Sequence, residues 1–264
     1  MTTYRYDANG NELGNDAGLS LGYNVANQTT TLTSVGQQAK SLGYLDSGQD
    51  ELVTDGSATL TDSQLGVGNR TDGSGSSYYT RDNAGGLLGE RTPSGTYYYV
   101  TDALGSIIAL TNSSGAVANS YKYDPYGATL SSSGTAPNVW GYAGGYQTGG
   151  LYHFGQRYYD PTSARWTQQD PLNQFDDLRE GNRFLYTGDD PVNLTDASGE
   201  CPVCLVVVGV GVRLAARQVA RRVAPIVYRY ATRPLVRAGA SVQTRRTEPL
   251  THVVTHFARH LLGL

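Results

Sequence analysis

Residues 150–199, GLYHFGQRYYDPTSARWTQQDPLNQFDDLREGNRFLYTGDDPVNLTDASG, decide how the whole chain is read. Tyr-Asp and Asp-Pro pairs crowd this stretch, and the composition changes sharply where it ends. Everything before it is repetitive and rich in Tyr and Gly. Everything after it is basic and spaced like a helix.

On the N-terminal side one pattern returns: aromatic residues, then Asp, two residues, Gly and an aliphatic residue. It runs as YRYDANGNEL at 4–13, YYTRDNAGGL at 78–87, YYYVTDALGSIIAL at 97–110 and YKYDPYGATL at 121–130. Each copy reads as a strand bearing aromatics, an Asp/Gly turn and a return strand, because Asp and Gly tolerate the tight or left-handed dihedrals that a hairpin turn needs. Asn112-Ser113-Ser114-Gly115 separates two further β runs and predicts another hairpin. Residues 14–75 are polar and poorly patterned, with short strands expected at 28–34 and 58–61, and residues 131–136 read as a loop. Internal repetition of this kind outweighs any single residue as a fold signal.

The composition agrees with a β reading. Tyr at 20 and Gly at 33 stand against only four Phe and one Met. Tyr buries a flat apolar ring while its hydroxyl seeks a partner, and Gly serves turns, so the chain suits twisted hairpins better than a Leu-packed helical core. The fold class expected is mainly β: antiparallel hairpins forming a sheet, followed by a short basic helical tail.

The formal net charge of −3 hides an asymmetry. Residues 1–199 carry 10 basic and 21 acidic side chains, whereas residues 200–264 carry 10 Arg, no Lys and two Glu. Such a split marks two units with different partners. In the tail, Arg213, Arg217, Arg221 and Arg222 recur at helical spacing against Leu214, Val219 and Val223, predicting a basic amphipathic helix that Pro225 interrupts. A last short helix is expected over 251–262. An Arg-rich helix of this kind would attract nucleic acid or an anionic membrane, or would pack against the acidic β part. Cys201 and Cys204 form one CPVC with no second pair, which reads as an incidental or structural pair rather than half a zinc site. His252, His256 and His260 share a helical face and are weak metal candidates, since the HExxH glutamate is missing. No cofactor is expected.

The N-terminal MTTYRYDANGNELG has neither a basic region nor an apolar run, and the apolar stretch 205–212 ends at Arg213, short of the ~20 residues that span a bilayer. Any export is therefore expected to use a machine that reads no N-terminal signal, or to rely on a larger parent chain; otherwise the protein is expected in the cytoplasm.

From about residue 78 to 199 the chain resembles the C-terminal core of the rearrangement-hotspot (Rhs) and YD-repeat proteins, whose relatives include the shell-forming subunits of insecticidal toxin complexes and, more distantly, teneurins. The resemblance is carried by the Tyr-Asp repeats, by GLYHFGQRYYDP at 150–161, and by Arg165-Trp166, Asp170-Pro171, Asn182-x-Phe184-x-Tyr186, Asp190-Pro191-x-Asn193 and Asp196-Ala197-Ser198-Gly199. It implies a repeat sheet that spirals into a hollow shell, a core that curls inside as a plug, and a variable C-terminal toxin. The division expected is a degenerate repeat lead-in at 1–77, repeats and core at 78–199, and a variable region at 200–264.

The resemblance also implies an intramolecular aspartic protease that frees the toxin after the final Asp-x-x-Gly element. Its matching positions here are Asp170 and Asp196, with Arg157 as the associated arginine. Both aspartates are expected at strand ends, with 182–187 as the strand that joins them. Asp ahead of Pro or Gly is equally a turn former through its own side chain. The chain departs from the family at Asn173, Ala164 and Glu200, which stand where Gly, Gly and Leu are usual. Asp160, Asp176, Asp177, Glu180, Asp189 and Asp190 read as turn and solvated acids. Trp140, Trp166 and the tyrosines read as packing residues.

Two functions follow as expectations. One is the end of a polymorphic toxin, partnered by the rest of a larger Rhs shell or by its own tail, with a possible immunity protein and no small-molecule substrate. The other is a non-enzymatic structural YD-repeat module.

Overall fold

The computed structural model describes residues 2–171 and 182–200. The tail helices expected within 213–229 and 251–262 lie outside the described residues, as do Cys201, Cys204, His252, His256, His260, Asp176, Asp177 and Glu180.

Fourteen strands form one antiparallel meander in which each strand pairs with its neighbours in sequence. They are β1 (Tyr4–Tyr6), β2 (Glu12–Asn15), β3 (Ser20–Tyr23), β4 (Thr29–Thr33), β5 (Lys40–Tyr44), β6 (Leu52–Asp55) and β7 (Ala58–Ser63), then β8 (Gly66–Asp72), β9 (Gly75–Arg81), β10 (Leu87–Thr92), β11 (Gly95–Thr101), β12 (Ile107–Asn112), β13 (Val117–Tyr123) and β14 (Thr129–Gly134). A second antiparallel sheet follows, made of β15 (Tyr146–Thr148), β16 (Leu151–Phe154), β17 (Arg157–Asp160) and β18 (Arg165–Trp166).

The turns explain the repeat. Asp7, Asn24, Asp82, Asp102, Asn112 and Asp124 each accept, through one side-chain oxygen, the N–H groups two and four residues ahead, at 2.8–3.1 Å. In each, the backbone N–H of the residue three ahead returns to the carbonyl of the Asp or Asn. That third residue is left-handed in every copy: Gly10, Asn27, Gly85, Gly105, Gly115 and Gly127. This is a three-residue hairpin loop closed by a left-handed residue, so Asp/Asn at the start and Gly at the third place are local chemical requirements.

Two of these glycines separate backbone strain from crowding. A Cβ on Gly115 (φ +80°) meets no other atom within 4 Å, whereas one on Gly127 (φ +91°) would lie 2.5 Å from the Tyr142 ring. Gly115→Ala is expected to cost about 1 kcal/mol of unfolding free energy and Gly127→Ala about 3 kcal/mol, read from urea midpoints. Equal losses would contradict the packing of the turn on Tyr142.

The core lies between the two sheets. Leu21, Leu32, Leu42, Leu52, Leu60, Leu87, Ile107 and Leu110 pack from the meander against Trp140, Tyr146, Leu151 and Tyr158. Fully burying one such leucine contributes about 2 kcal/mol. Every residue of β16 and β17 is buried. Polar bonds fix the seating: Thr148 and Tyr146 hydroxyls donate to Asp55 at 2.7 and 2.8 Å, and the Tyr44 and Tyr158 hydroxyls meet at 2.8 Å. The backbone of β2 also reaches the residue that follows β18 of the four-stranded sheet, called the inner sheet below, with the Glu12 N–H donating to the Thr167 carbonyl at 2.8 Å.

Three expectations are corrected. Residues 14–75, poorly patterned in sequence, hold more strands than the two expected at 28–34 and 58–61, which are β4 and β7: β3, β5, β6, β8 and the second half of β2 also run through them, each short and carrying few apolar residues. Residues 131–136, expected as a loop, contribute to β14, whose six residues are all exposed and pair only with β13. Residues 182–187 do not form a strand. Asn182 turns the chain by accepting the Phe184 N–H on its side chain and the Leu185 N–H on its carbonyl, leaving a single bridge from Leu185 to Arg165. Thr187–Asp189 then forms a 3-10 turn with left-handed residues.

Candidate active site at the end of the inner sheet

The hairpin between β16 and β17 aims the site. Gly155 is left-handed, and a Cβ there would strike the Ser198 carbonyl, so the turn and the segment 196–199 fit only without a side chain. The Gln156 N–H donates to the Ser198 carbonyl at 2.9 Å, which lays the end of the described chain along the first residues of β17.

Arg157, the first residue of β17, is 2% exposed and sits at the centre. Its Nη2 lies 2.7 Å from Asp170 Oδ2 and 3.2 Å from Asp196 Oδ2. Its Nε donates to the Gly199 carbonyl, its Nη1 to the Arg183 carbonyl at 3.4 Å, and its guanidinium lies 4.2 Å from the centre of the Trp166 ring. Burial works against the charged guanidinium and lowers its pKa from the usual value, with the two carboxylates opposing that effect.

Asp170 follows β18. Its backbone N–H donates to the Arg183 carbonyl at 2.9 Å, and Arg183 returns its Nε to the Asp170 carbonyl at 3.1 Å. Asp196 is 1% exposed and organises the turn after it: its Oδ1 accepts the Ser198 hydroxyl at 3.0 Å and the Gly199 N–H at 2.9 Å. Thus two carboxylates separated by 26 residues in sequence reach one nitrogen. Two acids with one compensating cation form the kind of site in which a proton can be shared.

Glu200 adjoins this cluster. It is half-buried, with its N–H donating to the Ser198 hydroxyl at 3.3 Å. Burial pushes its carboxyl above the ordinary value; the charges of Asp50, Asp170 and Asp196 act in the same direction and Arg157 opposes them.

The structure brings together Arg157, Asp170 and Asp196, the three residues expected from sequence. Asp160 is corrected: it is a buried residue at the end of β17, not a solvated acid, and its side chain accepts the Thr162 N–H at 2.8 Å. Trp140 and Trp166 are buried packing residues, as expected.

Sequence reading missed the polar seam beside the site. Gln49 donates from Nε2 to the Gln156 carbonyl and to Gln168 Oε1, both at 2.8 Å, while its Oε1 accepts the Thr29 N–H at 2.7 Å. His153 Nε2 contacts the Gln49 carbonyl at 2.7 Å. Glutamines in a polar stretch carry no signal of burial, and only the paired sheets reveal it.

A second buried acid lies on the meander. Glu90 accepts the Tyr99 hydroxyl at 2.7 Å on one oxygen, and its other oxygen has no hydrogen-bond partner. Burial pushes its carboxyl up to about 7. The ionised form is therefore penalised in the folded chain: the penalty is absent below the ordinary value of 4.5, grows towards 7 and is complete above it. Glu90→Gln is expected to reduce the loss of unfolding free energy between acidic and alkaline buffer by about 2 kcal/mol. An unchanged pH profile would contradict it.

Comparison with known proteins follows the same lines. The teneurin YD-shell family profile matches residues 67–192. Salivary gland surface protein 1 of Aedes aegypti is 32% identical over 102 residues, covering 37% of this chain and 3% of that protein. Toxin subunit YenC1 of Yersinia entomophaga is 32% identical over 97 residues, covering 34% of this chain and 10% of that one. Among solved structures, the TcdB2-TccC3 crystal structure matches 74% of this chain and 11% of its own with a TM-score of 0.57. At 20% identity that likeness carries the fold alone. The chain matches a tenth or less of the length of the curated relatives named.

Proposed function

We propose, from the premise that this chain is a YD-repeat protein of the Rhs type, that it is the end of a toxin-type shell whose plug cuts the chain near residue 200 and frees the C-terminal extension. The observation that supports this reading most is the convergence on Arg157. Asp170 and Asp196 both reach its Nη2, while the Gly199 carbonyl, next to the proposed cut, receives its Nε.

The chemistry is hydrolysis by two carboxylates. One aspartate, ionised, takes a proton from water as the water oxygen adds to the peptide carbonyl carbon. The other, protonated, supplies the proton that the leaving nitrogen needs as the C–N bond breaks. Arg157 orients both acids and adds positive charge beside the carbonyl, where negative charge develops. In this reading the partners are the rest of a larger shell and the released extension, with an immunity protein and a nucleic acid or anionic membrane as partners of that extension.

The test is intact mass of the purified full chain beside Asp170→Asn and Asp196→Asn. Cutting near residue 200 in wild type alone is the result expected. The uncut 28.3 kDa chain in all three would overturn the protease and leave the Arg157 cluster as a structural lock between the inner sheet and the segment 196–199.

A further inference from the structure

We infer that Glu200 gates the cut, holding it back while its carboxylate is charged and releasing it when the carboxyl takes up a proton. This rests on the self-cutting reading and deepens it: the residue beside the cut bond becomes its regulator.

Position carries the inference. The backbone leading to Glu200 is pinned on both sides, the Gly199 N–H by Asp196 and the Gly199 carbonyl by Arg157, so the Glu200 side chain starts from a fixed point next to both catalytic candidates. Its own N–H is held by Ser198, and it is half-buried. Among the described residues, the charged groups acting on it are Asp50, Asp170 and Asp196, all acidic, and the cation Arg157. With Glu200 ionised, this site would gather a further negative charge around one guanidinium. That charge opposes both the ionised aspartate that must act as base and the oxyanion that forms on the carbonyl. With Glu200 protonated, the opposition is gone. The elevated carboxyl value puts this change above the ordinary glutamate range.

The step itself is unchanged: water adds to the carbonyl carbon, the C–N bond breaks, and a carboxyl and an amine are formed. Only the charge beside it varies.

The full-length chain, made by cell-free translation at neutral pH and diluted into buffers from about pH 5 to 8, is followed by intact mass with time, together with Glu200→Gln and Glu200→Leu. Relative to Glu200→Gln, wild type is expected to gain about tenfold in rate from the neutral to the acidic end, a change of the size one lost like charge produces. Both variants are expected to cut about tenfold faster than wild type at neutral pH and to keep only the pH dependence of the proton shared by Asp170 and Asp196, a shallower profile than that of wild type. Identical pH profiles for wild type and Glu200→Gln would overturn the gate while leaving self-cutting intact. No cutting in any of the three chains would instead sink the self-cutting reading, and the gate with it.

Discussion

Asp196→Asn is expected to slow cutting near residue 200 by at least about a thousandfold, to below detection over hours, while the purified chain keeps its β-rich circular dichroism spectrum. General acid–base catalysis by a positioned carboxyl is worth about 10²–10⁴-fold, and here the same residue also orients the arginine that faces the carbonyl. Asn can still accept the Ser198 hydroxyl and the Gly199 N–H that Asp196 Oδ1 holds. The turn therefore survives while the carboxylate is lost, which separates chemistry from folding. Asp170→Asn should behave alike, because its carboxylate meets the same Arg157 nitrogen. Cutting at the wild-type rate in either variant would contradict the assignment.

Arg157→Met is expected to destabilise the chain by about 3–5 kcal/mol, the range seen when one partner of a buried charge pair is removed. Asp170 and Asp196 would stay in a site nearly closed to solvent, 7% and 1% exposed, with the opposing cation gone. The Gly199 and Arg183 carbonyls would lose a donor, and Trp166 the guanidinium 4.2 Å from its ring. Arg157→Lys should recover only part of the loss. An ammonium is a compact charge and cannot present the planar fork that serves two carboxylates and two carbonyls at once. Chemical unfolding of the three chains at neutral pH measures this. A methionine variant within about 1 kcal/mol of wild type would show that Arg157 does not hold the site together.

The legible part of the fold was its turns. An Asp or Asn followed three residues later by Gly closes a hairpin through bonds that lie within five residues, so Asp7, Asp82, Asp102, Asn112 and Asp124 announce themselves locally. The strands between 14 and 75 were harder to read because few of their side chains are apolar. A signal was present: Leu21, Leu32, Leu42, Leu52 and Leu60 recur every eight to eleven residues, one per strand, and all are buried on one face. Alternation within a strand of four or five residues is too short to reveal a face, whereas repetition across strands does. The serines of β14 gave no pattern because that strand buries neither face.

The candidate site was legible only as identities. Resemblance pointed to Asp170, Asp196 and Arg157, but 26 residues of separation carry no distance. The hairpin at Gly155 and the turn at Asn182 do the joining, and neither was legible beforehand as a joint. Gly155 matters because nothing larger fits against Ser198, and Asn182 matters because its side chain breaks the strand that the hydrophobic run Phe184-Leu185-Tyr186 suggests. Glu12 illustrates the same limit. In sequence it is one acid in a repeat; in the fold it is 2% exposed beside Asp160, with burial first and that charge second pushing its carboxyl up to about 7.

The most direct measurement is the new N-terminus produced when wild-type chain stands after folding, read by sequencing the released fragment across a range of protein concentrations. A terminus within a residue of Glu200, formed at a rate that dilution does not change, is the result that an intramolecular aspartate pair held by Arg157 predicts. A chain that stays whole, a terminus inside the repeats, or a rate that rises with concentration would contradict it.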